Sequence, residues 1–444
     1  MGKIFGTDGV RGVVDEKITS SFVYDLGKSI AIYLNQSIEK LEKNVLIAHD
    51  TRISFSMIEK ELCRALNEFG INVMLGGVMP TPAVHYLTKE KGFDVGIMIT
   101  ASHNPPEFNG IKVISSDGLK LNDEQEEEIT EIYENLTEYK NLSVADGKTK
   151  KNDKLVLEWA TSIKNIANCS LENMKVALDL ANGASYFIAP LIFKELGASV
   201  VAINESGDGS LINKDCGSTH TEVVAKVTKE EGCHIGFAFD GDADRVNVSF
   251  SDGRVMSGEE LMFLCVMYLK ERNLLKNNTI VTPNVTNLGI DESLKKFGIS
   301  VERVGVGGKN IQAKLLASKI SFGAEANGHI VWGDCNKCSD GILTAVLLTK
   351  MLKEVGSFEN VLKDLKVFNQ AQLNVNITES QKEKFNQGLL EPVINKFNQT
   401  LNASERIIVR ASGTEPLIRI IVEGENEDKN LKIAKELETE IKKL

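Results

Sequence analysis

The sequence predicts an α/β fold: three related mixed-sheet α/β domains plus a smaller C-terminal α+β domain. Three observations lead there. Short β-branched runs alternate with longer helical patterns; that alternation restarts twice along the 444 residues; and the last segment changes to strands that alternate apolar and polar positions.

In the first stretch "NVLIAHD" (Asn44–Asp50) reads as a buried strand followed by a helix over Glu59–Phe69. "INVMLGG" is the next strand, "PAVHYLTKEKG" a helix, and "DVGIMIT" (Asp94–Thr100) a third strand, in βαβ order with parallel strands. The polar stretch Asp146–Lys154 reads as a linker. "MKVALDLANGA" (Met174–Ala184), "ASVVAINESGDG" and "HIGFAFDGDADR" (His234–Arg245) form the second round. "NTIVTPNVTNLG", "ISVERVGVGG" and "KISFGAEANGH" form the third. "AQLNVNIT", "ERIIVRAS" and "LIRIIVEGE" read as antiparallel strands, and a charged helix from about Glu427 closes the chain. These shifts place boundaries near Lys151, Gly253 and Val367, giving domains 1–151, 152–253, 254–367 and 368–444.

The bulk composition excludes several classes. Lys and Arg total 51 against 62 Asp and Glu, a net charge of −11, which argues against a nucleic-acid binder. A site for an anion must then be a local basic patch. Seven scattered cysteines fit free thiols in a reducing compartment. Cys335 and Cys338 have the spacing of a zinc half-site, but no second pair or nearby His pair completes it. The start, "MGKIFGTDG", lacks a secretory h-region, and the longest apolar run, near Leu261–Leu269, is too short to span a membrane. A cytoplasmic protein without a membrane partner is the expectation.

Four loops after strands carry the polar chemistry. The first is Ser102-His103-Asn104-Pro105. It lacks the flanking glycines of a nucleophile elbow. In extended backbone, adjacent side chains point opposite ways, so His103 is not expected to serve Ser102 as a base. Taken alone, this stretch reads as a turn serine. The second loop is Asp240-Gly241-Asp242-Ala243-Asp244-Arg245. Carboxylates at alternate positions repel unless a cation or several donors compensate. Hard oxygens suit Mg²⁺ or Ca²⁺, and the calcium-loop pattern fails because its sixth position is Arg245 and its twelfth Ser251. Mg²⁺ is the reading, against a solvated acidic turn. The third loop, Gly323–His329, offers Glu325, Asn327 and His329 to sugar hydroxyls, or is an ordinary polar loop. In the fourth, Arg410 and Arg419 bracket Ser412-Gly413-Thr414. Hydroxyls, backbone N–H groups and guanidinium suit a phosphate, unless the arginines pair with surface acids. A serine, a carboxylate trio, sugar-hydroxyl partners and a phosphate clamp together fit phosphoryl transfer on a phosphosugar.

At this point the chain resembles the α-D-phosphohexomutase superfamily, along its whole length and in order. "FGTDGVRG" (Phe5–Gly12) is similar to that family's N-terminal signature, "TASHNP" (Thr100–Pro105) to its phosphoserine loop, "DGDADR" to its metal loop, "GAEANGH" to its sugar loop and "RASGTEP" to its phosphate loop. "ANGA" at Ala181, "INKDCGSTH" (Ile212–His220) and "TNLG" (Thr286–Gly289) most resemble the bacterial phosphoglucosamine mutases. The resemblance implies four domains around a central cleft and a homodimer. It implies interconversion of glucosamine 6-phosphate and glucosamine 1-phosphate through a phosphoserine and a 1,6-bisphosphate, on the route to UDP-N-acetylglucosamine, with a hexose 1,6-bisphosphate as activator.

Residue by residue, the resemblance implies that Ser102 is phosphorylated. Asp240, Asp242 and Asp244 hold Mg²⁺ together with a phosphoryl oxygen on Ser102. Glu325 and His329 read the sugar, and Arg410, Ser412, Gly413, Thr414 and Arg419 hold the phosphate that is not reacting. Arg11, His103, Lys112 and Arg245 line the reacting centre, with Lys112 moving protons. That role requires a lowered lysine pKa. Two loops depart from the bacterial glucosamine pattern. The sugar loop has Asn327 where Ser is usual, closer to the eukaryotic phosphoacetylglucosamine mutases, and Val304–Lys309 lacks the usual Asp and Tyr. A phosphomannomutase/phosphoglucomutase, or a mutase of the N-acetylated sugar, is the alternative, and Asn327 would serve a hydroxyl or an acetamido group.

Overall fold

The computed structural model describes residues 4–6, 8–139, 146–402, 404–412 and 416–444, with the Glu379 side chain outside that set. Gly413 and Thr414 therefore lie outside the described residues. The chain forms two compact units: Met1–Val281 with Gly307–Phe358, and Thr282–Val306 with Glu359–Leu444.

Asn44–His49 lies inside the first sheet, parallel to both Asn72–Val78 and Val95–Ile99. Its residues Val45–His49 are buried, the near-continuous apolar run of a strand covered on both faces. The connecting helices are Phe55–Glu68 and Thr81–Glu90. Phe108–Ser115 then returns antiparallel to Val95–Ile99 and carries Val10–Val13, also antiparallel, on its far side. Residues 100–107 are too short a connection for the dozen or more residues a parallel crossover needs, so the chain doubles back as a hairpin. The expected linker differs from its reading: Thr149–Lys151 adds a short parallel strand beside Asn72–Val78. Its three exposed side chains look like a linker in sequence, because an edge strand asks for no apolar face.

The second sheet repeats the scheme. Lys175–Asp179 lies parallel to Ser199–Ile203 and to Ile235–Phe239, and Val246–Phe250 returns antiparallel to Ile235–Phe239. In the third round Thr279–Pro283 pairs in parallel with Phe322–Ala324, which pairs antiparallel with Ile330–Trp332. In the second unit Leu417–Gly424 lies between Asn369–Asn376 and Arg406–Ala411, antiparallel to both, and the closing helix is Glu427–Ile441. The sheets are thus mixed, as the α/β and α+β reading requires. Each of the four chemistry-bearing loops is the connection of an antiparallel strand pair. None is a strand-to-helix turn. No helix among the described residues is long and apolar enough to cross a membrane.

Candidate active site

The serine loop and the acidic loop meet inside the first unit. Ser102 is 1% exposed, and its hydroxyl donates to Asp240 Oδ2 at 2.7 Å. Its backbone is left-handed, φ 52°, a region costly for a residue bearing a Cβ. That corrects the extended-backbone premise: Ser102 Oγ lies 3.3 Å from His103 Nδ1. Burial, together with the nearby Arg245 and Arg11, lowers the His103 pKa to about 4, so its ring is a neutral base at pH 7.

Asp240, Asp242 and Asp244 are buried, with a carboxylate oxygen of each within 4.8 Å of the others. Burial, Asp244 and Asp242 push Asp240 up to about 8. Asp242 Oδ2 accepts from Thr81 Oγ1 at 2.5 Å and Lys112 Nζ at 2.7 Å, while its buried Oδ1 has no hydrogen-bond partner. Three carboxylates beside the Ser102 hydroxyl, two of them (Asp242 and Asp244) with a buried Oδ1 that has no hydrogen-bond partner, fit a divalent cation. Among the described residues this is the one cluster of that kind.

The cations around the trio come from several elements. Lys112, on the returning strand Phe108–Ser115, reaches Asp242, Asp244 at 2.9 Å and Asp8 at 3.0 Å. Burying an ammonium costs several kcal/mol. Each carboxylate at such range returns about 4 kcal/mol at an effective dielectric near 20, so three carboxylates win. Burial pulls the Lys112 pKa down, but Asp242, Asp244 and Asp8 raise it well above that of a free lysine. The three carboxylates thus favour the ammonium form of Lys112, the opposite direction from the lowered pKa expected of a proton-moving lysine.

Arg11, on Val10–Val13, donates to Asn104 Oδ1 at 2.9 Å and to Asp8 Oδ2 at 3.1 Å. The strand comes this close because it faces Gly110: a Cβ there would lie 2.4 Å from Val10 O and 2.6 Å from Thr100 O. Arg245 closes the acidic loop, its backbone N–H donating to Asp240 Oδ1 at 3.1 Å.

The sugar loop is bridged to the acidic loop at Arg245 and His329. His329 Nε2 lies 3.2 Å from Asp244 Oδ1, and Nδ1 faces Glu325 Oε2 at 3.1 Å and Asn327 Oδ1 at 3.0 Å. Burial and Arg245 work against its charge, yet Asp244 and Glu325 raise its pKa to about 9. As an imidazolium it donates from Nδ1 to Asn327 Oδ1 and is ion-paired with Asp244 and Glu325, and Arg245 Nε, 3.1 Å from Nε2, is then a neighbouring cation and not a donor. Asp8 and Thr81 were not singled out in the sequence, and neither was Lys120, whose ammonium pairs with Asp8. Thr81 meets Asp242 and Lys120 meets Asp8 across long sequence separations, which leave no local pattern to read, whereas Asp8 lies in the quoted stretch Phe5–Gly12, three residues before its partner Arg11.

In the second unit, Arg410 stands directly across from Arg419 in the strand ladder. Burial and Arg419 lower the Arg410 pKa. Ser412 is 4% exposed, and its N–H donates to Leu417 O at 2.8 Å. The seven cysteines are free thiols, and burial pushes Cys335 up to about 11 and Cys338 well above the ordinary thiol value.

Four family models match in order: phosphoglucomutase/phosphomannomutase alpha/beta/alpha domain I over residues 2–140, domain II over 157–253, domain III over 257–368 and the C-terminal domain over 373–440. The chain is 40% identical over 443 residues to a phosphoglucosamine mutase of Caldicellulosiruptor bescii, covering 98% of both chains. It is 37% identical to one of Clostridium beijerinckii, covering 96% of both. Its fold is similar to a phosphoglucomutase/phosphomannomutase family protein of Burkholderia thailandensis, with TM-score 0.83, 21% identity and coverage of 99% and 98%. It is also similar to the Aspergillus fumigatus N-acetylphosphoglucosamine mutase crystallised with GlcNAc-6P and magnesium, with TM-score 0.64, 15% identity and coverage of 98% and 94%. With all four domains matched and relatives of this identity along nearly the whole chain, the protein belongs to the phosphoglucomutase/phosphomannomutase family.

Proposed function

We propose that the protein is a phosphohexomutase, an isomerase that interconverts glucosamine 6-phosphate and glucosamine 1-phosphate. One observation carries the chemistry: the Ser102 hydroxyl is seated 2.7 Å from Asp240 in a buried carboxylate trio backed by Lys112. The relatives named phosphoglucosamine mutase support the substrate.

In the phosphorylated enzyme, the P–Oγ bond of Ser102 breaks as a P–O bond forms to the free hydroxyl of the sugar phosphate. The hydroxyl loses its proton, and the product is a 1,6-bisphosphate. The other phosphate then returns to Oγ, and the opposite monophosphate leaves. Asp240, Asp242 and Asp244 would hold Mg²⁺, which supplies charge neutralisation to the transferring group. Lys112 and Arg245 add fixed positive charge at the same place. The proton lost by the sugar hydroxyl ends on the departing Oγ, and neutral His103, 3.3 Å from Oγ, is placed to pass it there and to take it back when Oγ attacks the bisphosphate, a proton-moving role first given to Lys112. Glu325, Asn327 and His329 bind the sugar. Arg410, Ser412, Gly413, Thr414 and Arg419 clamp the idle phosphate, and the register that sets Arg410 directly across from Arg419 supports this, since it places two guanidinium side chains at one position of the ladder. The family likeness supports domains 1–151, 152–253, 254–367 and 368–444, and a homodimer that light scattering checks.

A second reading, the N-acetylated sugar, is favoured by one observation. Asn327 Oδ1 already accepts from the His329 ring and, at 3.3 Å, from its backbone N–H. The Asn327 amide NH₂ is what remains for a ligand, and a donor suits an acetamido or hydroxyl oxygen better than an ammonium.

The test is a mutase assay with Mg²⁺ and a hexose 1,6-bisphosphate on glucosamine 6-phosphate, N-acetylglucosamine 6-phosphate, glucose 1-phosphate and mannose 1-phosphate. The assignment stands if glucosamine 6-phosphate leads by about tenfold in kcat/KM, roughly 1.4 kcal/mol of transition-state binding. If another sugar leads, the substrate assignment falls and the phosphoserine mechanism remains.

A further inference from the structure

Two side chains far from the serine loop in sequence converge on its backbone. Arg52 is fully buried and ion-paired with Asp50 at 3.0 Å. Its Nη2 donates to Ser102 O at 3.0 Å and to Asn104 O at 2.6 Å. Asn213, 8% exposed, donates from Nδ2 to the same two oxygens, at 2.8 and 2.9 Å. Each nitrogen spends one hydrogen on each carbonyl, so each carbonyl has both lone pairs answered, one from each side chain.

The two side chains have different anchors. Arg52 is tied to the serine loop's own sheet: Asp50 Oδ2 accepts from Thr100 Oγ1 at 2.6 Å, and Thr100 Oγ1 in turn accepts the Ser102 N–H at 2.9 Å. Asn213 belongs to the second sheet's loops. Its N–H donates to Ala181 O at 3.0 Å. It packs against the acidic loop so closely that a Cβ on Gly241 would lie 3.0 Å from Asn213 Nδ2 and 2.7 Å from Ser102 O. Arg52 alone would fix Ser102 relative to its own sheet. Asn213 ties the Ser102 carbonyl to the loops that carry Asp240.

We infer that Asn213 is a positioning residue for phosphoryl transfer: its amide holds Ser102 in the left-handed conformation and sets the distance from Oγ to the carboxylate trio. This rests on the mutase reading for its kinetic consequence, but not for its geometric one. Asn213 itself has φ 56°, so two variants remove the donor without disturbing the backbone. Asn213→Gly accepts that φ freely, and Asn213→Asp keeps the size and tolerates the conformation.

The experiment measures kcat and KM on the sugar phosphate the wild type turns over, with crystal structures of both variants. The expected result is a fall in kcat of about tenfold to a hundredfold with KM within about threefold, as for a misplaced reacting group. Ser102 Oγ should stand beyond hydrogen-bond range of Asp240, with Asn213→Asp the worse because its carboxylate faces two carbonyl oxygens. Unchanged kcat, or a raised KM with kcat kept, overturns the inference, as does an Oγ still seated on Asp240 in both variants. A wild type inactive on every hexose phosphate would sink the mutase reading alone, and the Ser102–Asp240 distance would still decide this one.

Discussion

The acidic loop Asp240–Arg245 and the strand pair formed by Arg406–Ala411 and Leu417–Gly424 both belong to antiparallel strand pairs, and they carry their charge differently: the first in the loop, the second on the strands. Around the acidic loop buried and half-buried groups of both signs meet: Asp8, Asp240, Asp242, Asp244 and Glu325 are interleaved with Arg11, Lys112, Lys120, Arg245 and His329. On the arginine strands, Arg410 faces Arg419. The contrast teaches that charge can be stored in two ways. A balanced cluster is preassembled before any ligand arrives, which is what electrostatic catalysis needs. Two guanidinium groups set at one ladder position offer their donors to an arriving anion, which is what a binding clamp needs.

Substitutions should separate the two. Ser102→Ala removes the group that carries the phosphoryl, and turnover in the coupled mutase assay should fall at least about a thousandfold. Retained activity would mean that the acidic loop acts without its serine. Asp242→Asn follows. It takes one oxygen from the trio and one partner from Lys112, so kcat should fall by about a hundredfold or more. Mg²⁺ titration by calorimetry should show weakened binding in parallel.

Arg410→Ala should behave oppositely. A charged hydrogen bond to phosphate is worth about 1.5–3 kcal/mol, so KM should rise by roughly tenfold to a hundredfold while kcat holds within about threefold. An unchanged KM would show that Arg410 does not hold the phosphate.

The smallest effect tests a buried carboxylate that lacks such cations. Asp340 caps the helix Gly341–Val355 through Leu343 N–H, and burial raises its pKa to about 7. The native state then holds a proton that the unfolded chain releases near the ordinary carboxylate value. Stability contributed by that proton is present at low pH and declines as pH rises toward 7. Asp340→Asn keeps the cap and removes the charge. It should raise the melting midpoint at pH 8 and leave it nearly unchanged at pH 4. An equal shift at both would assign the effect to packing.

Much of this was legible from residues alone, for reasons that differ by residue. The strands at Asn44, Val95 and Ile235 are short apolar runs that periodicity reports directly. The trio and the serine stand in short contiguous loops and the arginine pair flanks another, so that spacing in sequence carries the chemistry. What stayed hidden was the partner across space. Lys112 looked like a lysine awaiting a lowered pKa, but Asp242 and Asp244, which reverse that, lie 130 and 132 positions away. Asn213 reaches Ser102 O over 111 positions. The extended-backbone argument at Ser102 failed because a tight connection held by Arg52, Asn213 and Thr100 selects a conformation that local preference disfavours.

That left-handed serine has an evolutionary consequence. Threonine offers the same hydroxyl and is one nucleotide away from several serine codons, yet its branched Cβ is a poor occupant of φ 52°. A chain that drifted to threonine at position 102 would keep the nucleophile's chemistry and lose its aim. Descendants of this sequence are thereby confined to serine at that position by backbone shape as much as by reactivity.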